Sequence, residues 1–240
     1  MKRAVIVAVV LFLAPTLASA NTLVVPNAQA TTTGNATVGL TSPASFEYQE
    51  DFGGGQFLSV GGPLLITQIS FRAAPGAGAI NVDVSSFRIY LSTSPYFPNT
   101  FGSHTLITSN YAANEGADNT LVLSGGAGTF FSSPGCATPG PCAFDMVFNS
   151  TTPFLYDPTK GTLLMDAQFT GWSGGGSLDA EGFISPGGSV AQVNPSGTVG
   201  LFGPIVQFGY TAAVPEPASM TLFATGLAAL GGMVRRNRTR

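Results

Sequence analysis

One histidine in 240 residues, two cysteines and a charged fraction of 9% exclude several kinds of chemistry before any motif is sought. Ser-His-Asp hydrolysis needs a base beside its nucleophile, and His104 is the only imidazole available. It sits in FGSHTLITSN, without the Gly-x-Ser-x-Gly elbow that presents a serine for attack. A four-ligand zinc site cannot be assembled from soft donors when there is one His and a single Cys pair. No metal, cofactor or catalytic residue is therefore expected. Positive charge is also scarce. Of nine basic residues, Lys2 and Arg3 open the chain and four arginines close it, which leaves Arg72, Arg88 and Lys160 against eleven acids, a net charge of −8 between the ends. Such a body has no electrostatic footprint for nucleic acid or anionic lipid.

Carboxylates are the one reactive group in supply. Glycoside hydrolysis needs only two of them, and Glu115, Asp118, Asp145, Asp166, Asp179 and Glu181 are candidates, but no spacing selects a pair. Acids at strand ends ordinarily form turns or face solvent, and these are read that way. The stretch Asn114-Glu115-Gly116-Ala117-Asp118-Asn119 offers oxygen ligands of the kind hard cations prefer, yet lacks the alternating acids and distal Glu of an EF-hand loop. It is read as a polar loop. Trp172, the single tryptophan, stands beside Gly171 and Gly174 to Gly176. It is read as a core residue in preference to an exposed sugar platform.

What is abundant is turn chemistry: 31 glycines and 17 prolines. Glycine clusters at 53–55, 61–62, 125–126, 174–176 and 187–188 separate short apolar, β-branched runs, and helical periodicity is nearly absent. Strands are expected at Pro63 to Phe71, Val82 to Leu91, Thr120 to Leu123, Phe144 to Phe148, Thr162 to Phe169 and Pro204 to Tyr210. The expectation is an all-β body over residues 21–212, a single antiparallel β-sandwich of jelly-roll type, with a closed barrel as the rival. Cys136 and Cys142, in PGCATPGPC, are separated by five intervening residues in a Pro/Gly loop and are expected to form a disulfide in an oxidising compartment.

The two ends carry the address. Lys2 and Arg3 precede the apolar run Ala4 to Leu13, and Ala18-Ser19-Ala20 supplies a small-residue cleavage site, so residues 1–20 read as a signal peptide cut by signal peptidase. At the other end Val214-Pro215-Glu216-Pro217 leads into an uncharged apolar run from Ala218 to Val234, then Arg235, Arg236, Arg238 and Arg240. About 17 residues is the lower limit for a membrane-spanning helix, and the arginines hold the tail on the cytoplasmic side. The prolines keep the preceding peptide extended.

That order of motif, short helix and arginine cluster, over residues 213–240, closely resembles the PEP-CTERM sorting signal of Gram-negative bacteria. The resemblance implies an exosortase-type processing enzyme as partner, transient inner-membrane insertion, and release to the cell surface or extracellular matrix. The body resembles a subset of the same proteins. It shares Tyr48-Gln49, Gly61-Gly62-Pro63, Ile66 to Phe71, Leu91-Ser92-Thr93, Glu115 to Val122, Thr151 to Pro158 and Leu163 to Asp166 with them, which lends it no activity. The reading is an exported, non-catalytic surface or matrix protein associated with exopolysaccharide or biofilm. The alternative is a secreted polysaccharide-acting hydrolase or lyase on the same β-sandwich.

Overall fold

A computed structural model of the chain describes residues 21–95, 108–182 and 190–213. Residues 1–20, expected to be a signal peptide, His104, Gly187-Gly188 and the tail from Val214 onward lie outside these residues. Among the described residues, sixteen strands, numbered along the chain, form antiparallel sheets, and helix is confined to short turns. The all-β expectation holds.

Four strands make one sheet in the order β1 (Asn21–Val25), β16 (Val206–Ala212), β4 (Leu64–Phe71), β9 (Met146–Tyr156). Six make another: β14 (Val199–Gly200), β13 (Val190–Val193), β3 (Ser45–Phe52), β10 (Thr162–Thr170), β6 (Ser86–Ser94), β7 (Thr120–Gly125). Two three-stranded sheets complete the set. One is β11 (Ser173–Gly175), β5 (Ile80–Val84), β8 (Gly128–Ser133), and the other is β15 (Phe202–Pro204), β12 (Ser177–Gly182), β2 (Ala36–Gly39).

Side chains alternate across a strand, and this period organises the six-stranded sheet. Phe46 and Phe52 of β3 and Leu163, Met165, Ala167 and Phe169 of β10 join one apolar cluster that also takes Ile66, Ile69 and Phe208 from the four-stranded sheet. Ile80, Val82 and Phe131 enter it from the third sheet and Leu178 from the fourth. Its aromatic centre packs edge-to-face, with Phe130 and Phe169 centroids 4.9 Å apart and Phe169 and Trp172 also 4.9 Å apart. That geometry favours aromatic pairs beyond their burial. Trp172 is buried, and its indole N–H donates to the Leu40 carbonyl at 3.0 Å, which accounts for its one polar atom.

Two expectations need correction. The run from Val82 to Leu91 is not one strand: it breaks at Ser85, whose N–H bonds to the Thr170 carbonyl at 2.7 Å, so that β5 and β6 enter different sheets. Gly171, at φ +67°, lies against Ser85 where a Cβ has no room. Nor does Asp166 face solvent at a strand end: it is buried in the middle of β10. The outer face of β10 is covered, with Leu164 packing against Ala191 and Val193 under Tyr111 and Leu201.

Cys136 and Cys142 form the expected disulfide, with Cα atoms 5.8 Å apart. The Cys136 N–H bonds to the Ala77 carbonyl and its own carbonyl receives the Gly76 N–H, so the loop is tied to the turn after β4. Closing so short a loop restricts the unfolded chain by about 2–2.5 kcal/mol in a chain-entropy treatment. The Cys136→Ala/Cys142→Ala protein is expected to lose about that much stability in urea unfolding. Unchanged stability would show that the crosslink restricts nothing.

Candidate functional site

The covered outer face of the six-stranded sheet gathers the polar chemistry of the body. On β3 the residues of that face are Glu47, Gln49 and Asp51. On β10 they are Leu164, Asp166 and Gln168, with Asp166 directly opposite Gln49 in register. The segment 108–119 lies over them through a four-residue helix, α1 (Tyr111–Asn114).

A chain of hydrogen bonds fixes this cover, and its direction follows from one certain donor. The Thr108 backbone N–H donates to Asn114 Oδ1 at 2.8 Å, so Asn114 Nδ2 is the donor to Gln49 Oε1 at 2.8 Å. Gln49 Nε2 is then the donor to Asp166 Oδ2 at 2.9 Å and to the Tyr111 carbonyl at 3.1 Å. The phenol of Tyr111 donates to the Asn194 carbonyl at 2.7 Å, which links the segment to the end of β13.

Beside this network one carboxylate oxygen each from Glu47, Glu115 and Asp166 lies within 4.8 Å of the other two. Asp166 is buried while Glu47 and Glu115 reach solvent. Burial pushes the Asp166 carboxyl up to about 7, against the opposing pull of the Gln49 hydrogen bond. Burial likewise raises Glu115, and the nearby Asp166 adds to it. Among the described residues, ion pairs are formed by Arg72 with Asp179 and Lys160 with Asp157. Arg88 shares the outer face at the level of Gln168 and pairs with none of the three acids.

Of the six acids singled out from the sequence, the structure therefore brings Glu115 and Asp166 together. The other four serve separate local roles. Asp118 accepts from the Thr93 N–H and hydroxyl at 2.7 Å each, and Asp145 accepts from the Ser133 hydroxyl at 2.7 Å. Asp179 holds Arg72, and Glu181 receives the Asn35 N–H at 3.3 Å. Within the 114–119 loop Asn114 turns inward, Asp118 binds Thr93, Asn119 Nδ2 donates to Glu115 Oε2 at 2.6 Å, and only Glu115 joins the cluster. Glu47 was missed. The alternation Phe46-Glu47-Tyr48-Gln49 carried the signal, because it places Glu47 and Gln49 on one face of an amphipathic strand.

A second feature is an apolar cavity of about 490 Å³ lined by Leu40, Phe46, Phe130 and Trp172, with Thr41 and Asn194 among its polar lining. Tyr48, on its wall, donates to Glu50 Oε2 at 3.3 Å. Burial drives the Glu50 carboxyl well above the usual carboxylate range.

The last described residue is tied to the body: the Ala213 N–H donates to the Pro63 carbonyl at 3.0 Å. From that residue onward, residues 213–236 match the family model described as the PEP-CTERM protein-sorting motif. The chain carries a PEP-CTERM sorting motif. That motif marks a protein for export and sorting by an exosortase, with association to the cell surface of a Gram-negative bacterium. Val214, Pro215, Glu216, Pro217, Arg235 and Arg236 fall inside the matched PEP-CTERM range, and Arg238 and Arg240 follow it. All eight lie outside the described residues, as does the apolar run expected to cross the membrane. Among the described residues no helix is long and apolar enough to do so. No curated protein and no solved structure matches the chain.

Proposed function

We propose that the chain is an exported, non-catalytic surface or extracellular-matrix protein, delivered by its C-terminal signal and associated with exopolysaccharide. Residues 1–20 are removed as a signal peptide, residues 21–212 act as one jelly-roll-like β-sandwich, and residues 213–240 are a temporary inner-membrane signal. The observation that carries this reading is the sorting motif at residues 213–236. A single apolar cluster drawing on all four sheets supports one body. The dispersal of Asp118, Asp145, Asp179 and Glu181 into separate local contacts supports a non-catalytic one.

Pro215-Glu216-Pro217 presents an extended peptide to the processing enzyme, while glycines at 226, 231 and 232 weaken the adjoining helix. Replacing the three residues by alanine is expected to leave export intact and to trap full-length protein in the inner membrane. Intact-mass measurement of surface material checks this. Wild-type protein still ending in Thr239-Arg240 at the surface, or a normally released triple variant, would mean the tail is a plain anchor.

One observation favours a second reading, a polysaccharide-acting hydrolase or lyase. Asp166, raised to about 7, stands beside the carboxylate of Glu115, and acid with carboxylate is the pairing such chemistry uses. A glycan array run beside a hydrolysis screen separates the two: binding without turnover supports the matrix protein, and turnover the enzyme.

A further inference from the structure

We propose that Glu47, Glu115 and Asp166 bind a calcium ion, and that the ion fastens the 108–119 segment to the six-stranded sheet. Among the described residues, three carboxylates converge with no basic partner, an arrangement that repels itself unless protons or a cation intervene. The polarity of the amide chain bears on the choice. Because Gln49 Nε2 is committed as a donor, Asp166 Oδ2 accepts from it. Asp166 Oδ1 is left enclosed with no hydrogen-bond partner, on a side chain that is 2% exposed. An orphaned buried carboxylate oxygen is costly. A cation held between it and the two glutamates supplies the missing partner.

The donor set selects the ion. All three ligands are oxygens, which suits hard cations and disfavours zinc or copper. Oxygens on opposite sides of calcium, at about 2.3–2.6 Å each, span about 4.6–5.2 Å, and the three oxygens lie within 4.8 Å of one another. Of the six carboxylate oxygens, Asp166 Oδ2 accepts from Gln49 and Glu115 Oε2 accepts from Asn119 Nδ2 at 2.6 Å, which leaves four without those donors. The solvent-reaching sides of Glu47 and Glu115 admit the waters that complete a shell of about six to eight. The ligands come from β3, from β10 and from the residue after α1, so the ion joins the cover to both strands beneath it.

The test uses the full chain, stripped with EDTA and exchanged into metal-free buffer at neutral pH, with calcium chloride as the probe. Calorimetric titration is expected to show one site with Kd on the order of 0.1–1 mM. The melting temperature is expected to rise by about 5 °C at 10 mM calcium. Glu47→Gln/Glu115→Gln is expected to abolish that rise and, in EDTA, to melt above the metal-free wild type, since two repelling charges are gone. This second readout keeps the test decisive by requiring the variant to be folded. The proposal is overturned by a wild type that shows neither heat nor a melting shift up to 10 mM calcium. A variant that keeps the wild-type response, a variant in EDTA no more stable than the wild type, or a shift as large with magnesium chloride would each overturn it as well.

Discussion

Arg72→Met is expected to cost about 3–5 kcal/mol of unfolding free energy, because it leaves Asp179 as a buried charge with no counter-ion, holding only backbone donors such as the Gly34 N–H at 3.1 Å. Both side chains are 1% exposed, and Arg72 Nε donates to Asp179 Oδ2 at 2.9 Å. A second guanidinium nitrogen donates to the Thr32 carbonyl at 2.7 Å, and the group lies over the Phe144 ring at 4.9 Å. Arg72 thus ties the end of β4 to β12 and to the chain before β2. Burial raises Asp179 and lowers Arg72, and each is partly offset by the other's charge. Replacing both with apolar residues, as in Arg72→Met/Asp179→Leu, is expected to recover much of the loss, since a buried pair removed whole costs far less than one broken. Urea unfolding of the two variants decides it. Equal losses in single and double variants would place the effect in packing and not in charge.

The protein is expected to gain stability as pH falls from 8 to 5. Asp51 and Asp166, both raised to about 7, are two of the carriers, and Asp51 lies outside the three-carboxylate cluster. Burial raises the Asp51 carboxyl to about 7, opposed more weakly by the Thr162 hydroxyl. A folded-state value above the unfolded one, 3.8, means the native protein holds a proton that the unfolded chain releases. The resulting stabilisation is complete below about 4 and is lost as pH rises through about 7. Asp51 alone is expected to contribute about 3 kcal/mol between pH 5 and 8. Glu50 moves in the same direction, through burial. Asp51→Asn, measured in EDTA, is expected to flatten the profile by that amount. A wild-type curve that rises toward pH 8 would contradict the assignment.

What the sequence disclosed depended on how local each signal was. The sorting tail is a contiguous signal over residues 213–236 and was legible without a fold. The disulfide was legible because five residues in a Pro/Gly loop leave the sulfurs little freedom. Strands β4, β6, β7 and β10 announced themselves by apolar, β-branched runs. Strand β3, near the middle of the largest sheet, did not. Its Glu47, Glu50 and Asp51 depress the hydrophobic signal, and only the alternation of Phe46, Tyr48 and Phe52 betrays it. The acidic cluster was half legible. Glu115 and Asp166 were both named, but their meeting depends on the Gln49–Asp166 register, set between residues 117 positions apart. The division of residues 80–94 between two sheets rests on the contact of Ser85 with Thr170 and could not be read from local propensity.

Strand β16 lies between β1 and β4, and Asn21 pairs with Tyr210. The first strand of the described body therefore waits for its last, and the four-stranded sheet cannot close during export until residues 206–212 have emerged. Pairing across so long a separation is slow, which leaves the apolar face of β4 to be shielded meanwhile. Once closed, the sheet brings both ends of the body to one edge. In the proposed arrangement residues 214–217 join the body to the membrane segment, and an extended chain reaches about 3.3–3.6 Å per residue. A segment anchored from Ala218 would hold the finished body within about 20 Å of the bilayer until the peptide is cut. Under the proposed membrane insertion, the strand that completes the four-stranded sheet is also the one from which the tether leaves the body, so that closure of the sheet and completion of the tether's attachment point fall in a single element.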